Sequence, residues 1–192
     1  MSRYTEPMYS RFPVKHCRNC GTATVQRLPD DGDTKLRAVC PACGTTHYEN
    51  PLNVVGTVPW IIEDGILKVL LCQRNIEPRK GFWTLPAGFM EMNETTAEGA
   101  LRETIEEAGA QVIMGELFSL INVQRVGQVH FFYTAQLQST HFDFGHETMA
   151  VQLVSQADVP WGDIAFRTVK ETLERFFASP PGTAQVLHHF DV

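Results

Sequence analysis

The sequence is short of several things, and each shortage removes a class of function. No stretch of about eighteen apolar residues occurs anywhere in the 192 residues, so a membrane-spanning helix is not expected. The first fifteen residues, MSRYTEPMYSRFPVK, lack an apolar core and do not read as a secretory leader. A cytoplasmic protein is the default expectation. There is no G-x-x-x-x-G-K-[ST] phosphate loop, so any phosphate chemistry must take its positive charge from elsewhere. Repeats and low-complexity tracts are absent. Basic residues are the scarcer sign, 16 against 22 acidic, for a net charge of −6. The shortage is uneven: residues 1–50 hold seven Lys and Arg and five Asp and Glu, residues 51–192 nine and seventeen. So acidic a body does not bind nucleic acid by bulk charge.

What is there centres on GFMEMNETTAEGALRETIEEAGA, Gly88 to Ala110. Thr95 with Glu98 three residues later predicts a capping box, and Gly109 a left-handed stop. At about 100° per residue, Ala97, Leu101, Thr104, Ile105 and Ala108 fall on one largely apolar stripe, expected to pack. Glu103, Glu106 and Glu107 are expected on a second face, away from it. Glu103 and Glu107 repel as an i,i+4 pair, and all three lie where the helix dipole is already negative. A solvated acidic face is the plain reading of such a cluster. A face built for solubility would carry Lys or Arg in that last turn, whereas a hard divalent cation, which takes carboxylate oxygens, removes the conflict. Gly99 lies one turn before Glu103 and is unfavourable in a helix by roughly 1 kcal/mol; it leaves room for a close approach, most naturally by the preceding loop, whose Gly88 carbonyl can face the same metal.

Four of the five cysteines form Cys17-x2-Cys20 and Cys40-x2-Cys43, nineteen residues apart, each pair followed by Gly. This is the spacing of a four-cysteine zinc site. Four thiolates close the tetrahedron, so the zinc is structural. His16 and His47 flank the cysteines as bystanders, and Cys72, inside an apolar run, reads as an inert core thiol. A boundary near Asn50-Pro51 predicts a zinc ribbon over 1–50 and a second domain over 51–192.

In that second domain, 53–62 and 66–74 read as a hairpin across Glu63-Asp64-Gly65. Residues 75–82 read as a loop, 83–88 as a short extended stretch, and 117–126 with 128–137 as a second hairpin pivoting near Gly127. An apolar run covers 149–154, a Pro/Trp loop 158–163, and an amphipathic helix 166–177. The tail, 182–192, has too little pattern to assign. Strands on both sides of a central helix, with another helix at the end, predict an α/β fold whose mixed sheet is covered on both faces.

Gly88, five residues, Glu94, seven residues, then Arg102-Glu103-Thr104-Ile105-Glu106-Glu107-Ala108-Gly109-Ala110 resembles the Nudix box, G-x5-E-x7-R-E-U-x-E-E-x-G-U. All seven charged and Gly positions agree; the departure is Thr104 at an aliphatic position. The resemblance implies an α/β/α sandwich and hydrolysis of nucleoside diphosphates linked to another moiety, with Mg2+ or Mn2+ held by Glu103, Glu106, Glu107 and the Gly88 carbonyl. Glu106 or Glu107 is the candidate base, and Arg102 with Glu94 a structural ion pair. A further carboxylate often completes such sites downstream. Glu147 is the candidate here, although Ala150 departs from the pattern by standing where relatives commonly carry a second Glu.

A zinc ribbon ahead of such a domain also resembles NADH pyrophosphatases, but their S-Q-P-W-P-F-P-x-S array has no counterpart in LFSLINVQRVGQ, 117–128. The runs LRAVCPACGTTHYENP, LLCQRNIEPRKGFWTLPAGFMEMNET and GALRETIEEAGA instead resemble the plant chloroplast FAD/ADP-ribose pyrophosphatases. That implies cleavage of FAD to FMN and AMP, with ADP-ribose as a second substrate, and a homodimer. Arg74 is the candidate phosphate contact, and Trp83 or Phe89 the ring-stacking one, although a lone aromatic is more often packing. Another ADP-ribose, NADH or nucleotide-sugar hydrolase is the sibling reading. A nucleotide-sensing regulator whose ribbon binds nucleic acid is the reading from a different class; the intact glutamates and the acidic body count against it.

Overall fold

The computed structural model describes residues 14–182 and 186–192. The leader assessment rests on residues 1–15 and lies almost wholly outside them. The described chain divides into two units, one ending at Pro51 and the other beginning at Leu52.

The first unit is a small antiparallel sheet of β1 (Val25–Arg27), β2 (Arg37–Val39) and β3 (Thr46–His47), in the order β1-β2-β3. Gly21 and Gly44 both take positive φ, 75° each. There each donates its N–H to the carbonyl four residues back, Gly21 to Cys17 and Gly44 to Cys40. The two cysteine pairs therefore sit on two equivalent turns.

The second unit carries β4 (Leu52–Glu63), β5 (Ile66–Arg74), β6 (Trp83–Thr84), β7 (Ala87–Phe89), α1 (Thr96–Ala108), β8 (Val112–Val123), β9 (Gln128–Leu137), β10 (Thr148–Ser155), α2 (Arg167–Ala178) and β11 (His188–Asp191). Its sheet runs β10-β5-β4-β9-β8-β11. β4 with β9 and β8 with β11 are parallel, and the other pairings antiparallel. The hairpin turn has Asp64 and Gly65 at φ 53° and 76°, as an Asp-Gly turn of this kind requires.

Strand alternation sorts the core onto two faces. Val58, Val69, Leu71, Phe118 and Phe132 pack with Val169, Leu173 and Phe176 of α2; Leu70, Cys72 and Leu137 pack with Ala108 and Ala110 at the end of α1. Full burial of a side chain such as Leu173 or Phe176 stabilises by about 1.5 to 3 kcal/mol. Helices thus cover both faces of a mixed sheet.

One irregularity positions the site. β4 and β5 pair only over 60–63 and 66–69. Beyond that, β6 ladders onto β5 at Cys72 and Gln73, and β7 onto β4 at 54–56. The 83–89 segment is thereby wedged between two diverging strands, and delivers Gly88 beneath α1.

In the tail, unassigned from its pattern, β11 lies parallel to β8, a pairing whose partners are about seventy residues away in sequence, so no local pattern announces it.

Candidate active site

The helix that carries the acidic residues starts and stops as its caps dictate. Thr95 accepts from the Glu98 N–H, Glu98 accepts from the Thr95 N–H, and Gly109 is left-handed at φ 59°. Its faces, however, are rotated from the expectation. The buried residues are Gly99, Ala100, Thr104, Glu107 and Ala108, while Ile105 is 52% exposed. Glu107 therefore belongs to the packed face, against the separation of acidic and apolar faces read from periodicity. The reason is that small and hydroxyl side chains line the contact with β4. Thr104 bonds Thr57 and the Ala100 carbonyl there, and Gly99 admits Glu94 and Val55 so closely that a Cβ would overlap them.

Arg102 organises the exposed side of the cluster. Its Nε and Nη2 donate to the two oxygens of Glu94, each at 3.0 Å, and Nη2 also donates to the Phe89 carbonyl at 3.1 Å. Nη1 donates to Glu103 Oε1 at 2.7 Å and Glu106 Oε2 at 3.0 Å. The fork of a guanidinium allows this, and an ammonium does not. These bonds raise the Arg102 pKa and hold Glu94 below its ordinary range. The ion pair read from sequence is thus present, and extends to two of the box glutamates.

Beneath it, the Gly88 backbone lies against the Glu103 carboxylate, in a space that a Cβ would fill. Glu107 Oε2 accepts from the Ala87 N–H at 2.9 Å. Burial pushes the Glu107 carboxyl up to about 7, with the charges of Glu103 and Glu147 adding to the shift, while the Ala87 bond and Arg74 oppose it. Glu103 is raised as well, again chiefly by burial, and it too feels Glu147. The box glutamates and Glu147 therefore form one negative neighbourhood, in which Glu107 has an N–H but, among the described residues, no ion-paired cation. Glu103 against the Gly88 backbone and Glu107 against the Ala87 N–H put carboxylates beside a side-chain-free backbone, the kind of oxygen donors that a hard divalent cation takes, although among the described residues no three of these carboxylates have oxygens all within 4.8 Å of one another.

The other named residues are placed less uniformly. Arg74 ends β5, half-buried, with Nε donating to the Pro78 carbonyl at 2.9 Å and its guanidinium 5.1 Å from the Phe166 ring; its charge reaches Glu107 and Glu147. Trp83 packs against the main core, whereas Phe89 is 54% exposed beside the box. Cys72 is buried, its thiol pushed far up by desolvation. Asn75 and Gly145, which flank Glu147 in space, carry no motif and were missed by sequence reasoning.

In the N-terminal unit, Cys17, Cys20, Cys40 and Cys43 are free thiols whose sulfurs converge. Sγ separations are 3.4 Å for Cys20–Cys40, 3.6 Å for Cys20–Cys43 and 3.7 Å for Cys17–Cys43. A tetrahedron with Zn–S bonds of about 2.3 Å has edges of about 3.8 Å, so the donor set fits zinc. The Thr45 hydroxyl, then its backbone N–H, draw Cys43 down to about 5. Among the described residues this is the only group of three or more potential ligand side chains whose ligand atoms all lie within 4.8 Å of one another.

Comparison with known proteins gives two family matches: the NUDIX domain over residues 54–176 and the zinc ribbon described as Nudix N-terminal over 15–49. A crystal structure of a NUDIX hydrolase from Nitrosomonas europaea is 41% identical, covers 93% of this chain and 99% of its own, and superposes with a TM-score of 0.85. The ADP-ribose pyrophosphatase of Methanocaldococcus jannaschii is 44% identical over 55 residues, 27% of this chain and 32% of that one. The NAD-capped RNA hydrolase of Pongo abelii is 33% identical over 108 residues, 54% and 22% of the respective chains. The matches thus span about a third or less of these two curated relatives.

Proposed function

The chain belongs to the Nudix hydrolases, and from that premise we propose that it hydrolyses the pyrophosphate bond of a nucleotide derivative, with FAD, cleaved to FMN and AMP, as the leading substrate. The observation that carries the reading is buried Glu107, raised to about 7 among Glu103 and Glu147, above a glycine backbone shaped to the Glu103 carboxylate.

Glu103, Glu106, Glu107, Glu147 and the Gly88 carbonyl are the residues that would hold Mg2+ or Mn2+. The ion, when bound, neutralises pyrophosphate charge and makes water a better nucleophile. The protein's own part is positional. Arg102 fixes Glu103 and Glu106 from the solvent side, and the Ala87 N–H fixes one oxygen of Glu107. Glu106 or Glu107 takes the proton of the attacking water. Arg74, half-buried beside Glu107 and Glu147, meets a phosphate oxygen. Phe89 offers an exposed ring for stacking, whereas the packing of Trp83 supports a role in the core. Cys17, Cys20, Cys40 and Cys43 hold a structural zinc, and the ribbon and hydrolase domains divide near residue 50. A cytoplasmic homodimer completes the reading, with light scattering as the check on the dimer.

ADP-ribose is the second reading, favoured by the similarity to the archaeal ADP-ribose pyrophosphatase. Initial rates on FAD, ADP-ribose and NADH with Mg2+, products identified by mass, test both. FMN and AMP released fastest from FAD is the expected result. Faster turnover of ADP-ribose moves the assignment to the second reading, and faster turnover of NADH overturns both.

A further inference from the structure

We propose that Asn75 is a positioning residue that aims Glu147 at the box glutamates, an inference that rests on the metal reading above. Asn75 follows the last residue of β5. Its N–H donates to the Glu147 carbonyl at 2.7 Å, and its side-chain Nδ2 donates to the His146 carbonyl at 2.9 Å.

Those two carbonyls belong to the two peptide planes that meet at the Glu147 Cα. Peptide planes are rigid, and only φ and ψ between them are soft. One residue holding both planes therefore sets the direction in which the Glu147 side chain leaves the backbone. The strand ladder alone does not do this, because the register of β10 on β5 begins at Thr148 opposite Arg74 and is interrupted by a bulge before Ala150. Among the described residues the carboxylate makes no hydrogen bond; His146 Nε2 approaches it at 3.8 Å, and the Glu147 side chain is 44% exposed. The backbone sets the direction in which that side chain starts out, and its own rotamers set the rest.

The other end of the clamp is Gly145. Its N–H donates to the Glu106 carbonyl at 3.1 Å, and its own carbonyl accepts from the Thr148 N–H at 3.1 Å. A Cβ at Gly145 would overlap the Glu106 carbonyl, so the close contact needs glycine. The segment carrying Glu147 is thus tied on one side to the end of β5 and on the other to the last turn of α1, which bears Glu106 and Glu107.

The test is Mn2+ titration of the purified full chain without substrate, following free Mn2+ by electron paramagnetic resonance. Residues that orient ligands typically change metal affinity by about 10- to 100-fold. N75A, which removes the bond to the His146 carbonyl and keeps the N–H bond to the Glu147 carbonyl, is expected to weaken Mn2+ binding by up to about tenfold, E147Q by as much or more, and the N75A/E147Q double variant no further than E147Q alone. Non-additivity of that kind marks two residues acting as one unit, which a merely structural role would not produce. G145A is expected to move binding in the same direction, and stands in for N75A should that variant fail to fold. Binding by N75A equal to wild type, or losses that multiply in the double variant, would overturn the clamp. Wild-type affinity in E147Q would overturn it too, while leaving the box ligands in place. No Mn2+ binding by the wild type would remove the metal reading and this inference together.

Discussion

The Thr57 hydroxyl lies 2.6 Å from that of Thr104, in a fully buried contact between β4 and α1. Thr104 also donates to the Ala100 carbonyl at 2.7 Å, so its proton is used and Thr57 must be the donor to Thr104. The threonine that departs from the aliphatic pattern of the box is therefore half of a matched pair. T104V leaves the Thr57 hydroxyl buried without a partner, and should cost about 1 to 3 kcal/mol in urea unfolding. T57V/T104V removes both hydroxyls at nearly constant shape and should recover most of that loss. A double variant as unstable as T104V would refute the pairing.

Glu107 gives the metal-free protein a defined pH response. An unfolded chain releases this proton near 4.5, and the folded one near 7. Folding therefore favours the protonated form. The group costs nothing below about pH 4.5, and the penalty grows as pH rises towards 7, reaching about 3 kcal/mol above it. Without divalent cations, E107Q should be the more stable protein at pH 8, with the gap closing by pH 4.5. Mg2+ should stabilise the wild type and not E107Q, and E107Q should release no AMP from FAD. Parallel unfolding curves for the two proteins across this pH range would contradict the assignment.

Arg102 should not tolerate lysine. R102K keeps the charge but loses the fork that serves both oxygens of Glu94 while also reaching Glu103, Glu106 and Phe89. A double-variant cycle of R102K with E94Q should show a coupling of about 1 to 2 kcal/mol in unfolding free energy. A coupling near zero would mean that the pair does not hold the loop to the helix.

The cysteine cluster should hold one zinc per chain, measured by atomic emission, and C40S should hold almost none. Thiol titration should find the four ribbon cysteines protected until the metal is stripped, with Cys72 unreactive until the chain unfolds, because it is buried in the sheet. Fast reaction of all five thiols in the native protein would remove zinc from the account.

Local devices were readable from sequence and remote ones were not. Thr95, Glu98 and Gly109 mark α1 because caps involve residues within a turn of one another. Asp64-Gly65 marks the first hairpin for the same reason, and the two Cys-x2-Cys turns carry their own glycines. The faces of α1 were misread because periodicity assumes that apolar residues pack. Here Gly99, Thr104 and Glu107 occupy the contact, and Ile105 faces solvent. Asn75 and Gly145 stand about seventy positions apart, and only the pairing of β10 with β5, which begins at Thr148 opposite Arg74, brings them to either side of Glu147. The wedge of β6 and β7 between diverging strands was likewise hidden, since each half reads simply as a short extended segment.

β11 bears on how the protein is handled. It shields the β8 edge of the sheet, and its hold extends to Val192, whose N–H donates to the Asn122 carbonyl at 3.1 Å. Phe190 also carries the Arg175 guanidinium 3.8 Å from its ring. Chains shortened by residues 186–192 would bare a row of unpaired amides and carbonyls, ready to accept a strand from another molecule. Such chains should aggregate with rising concentration even though the acidic site is untouched.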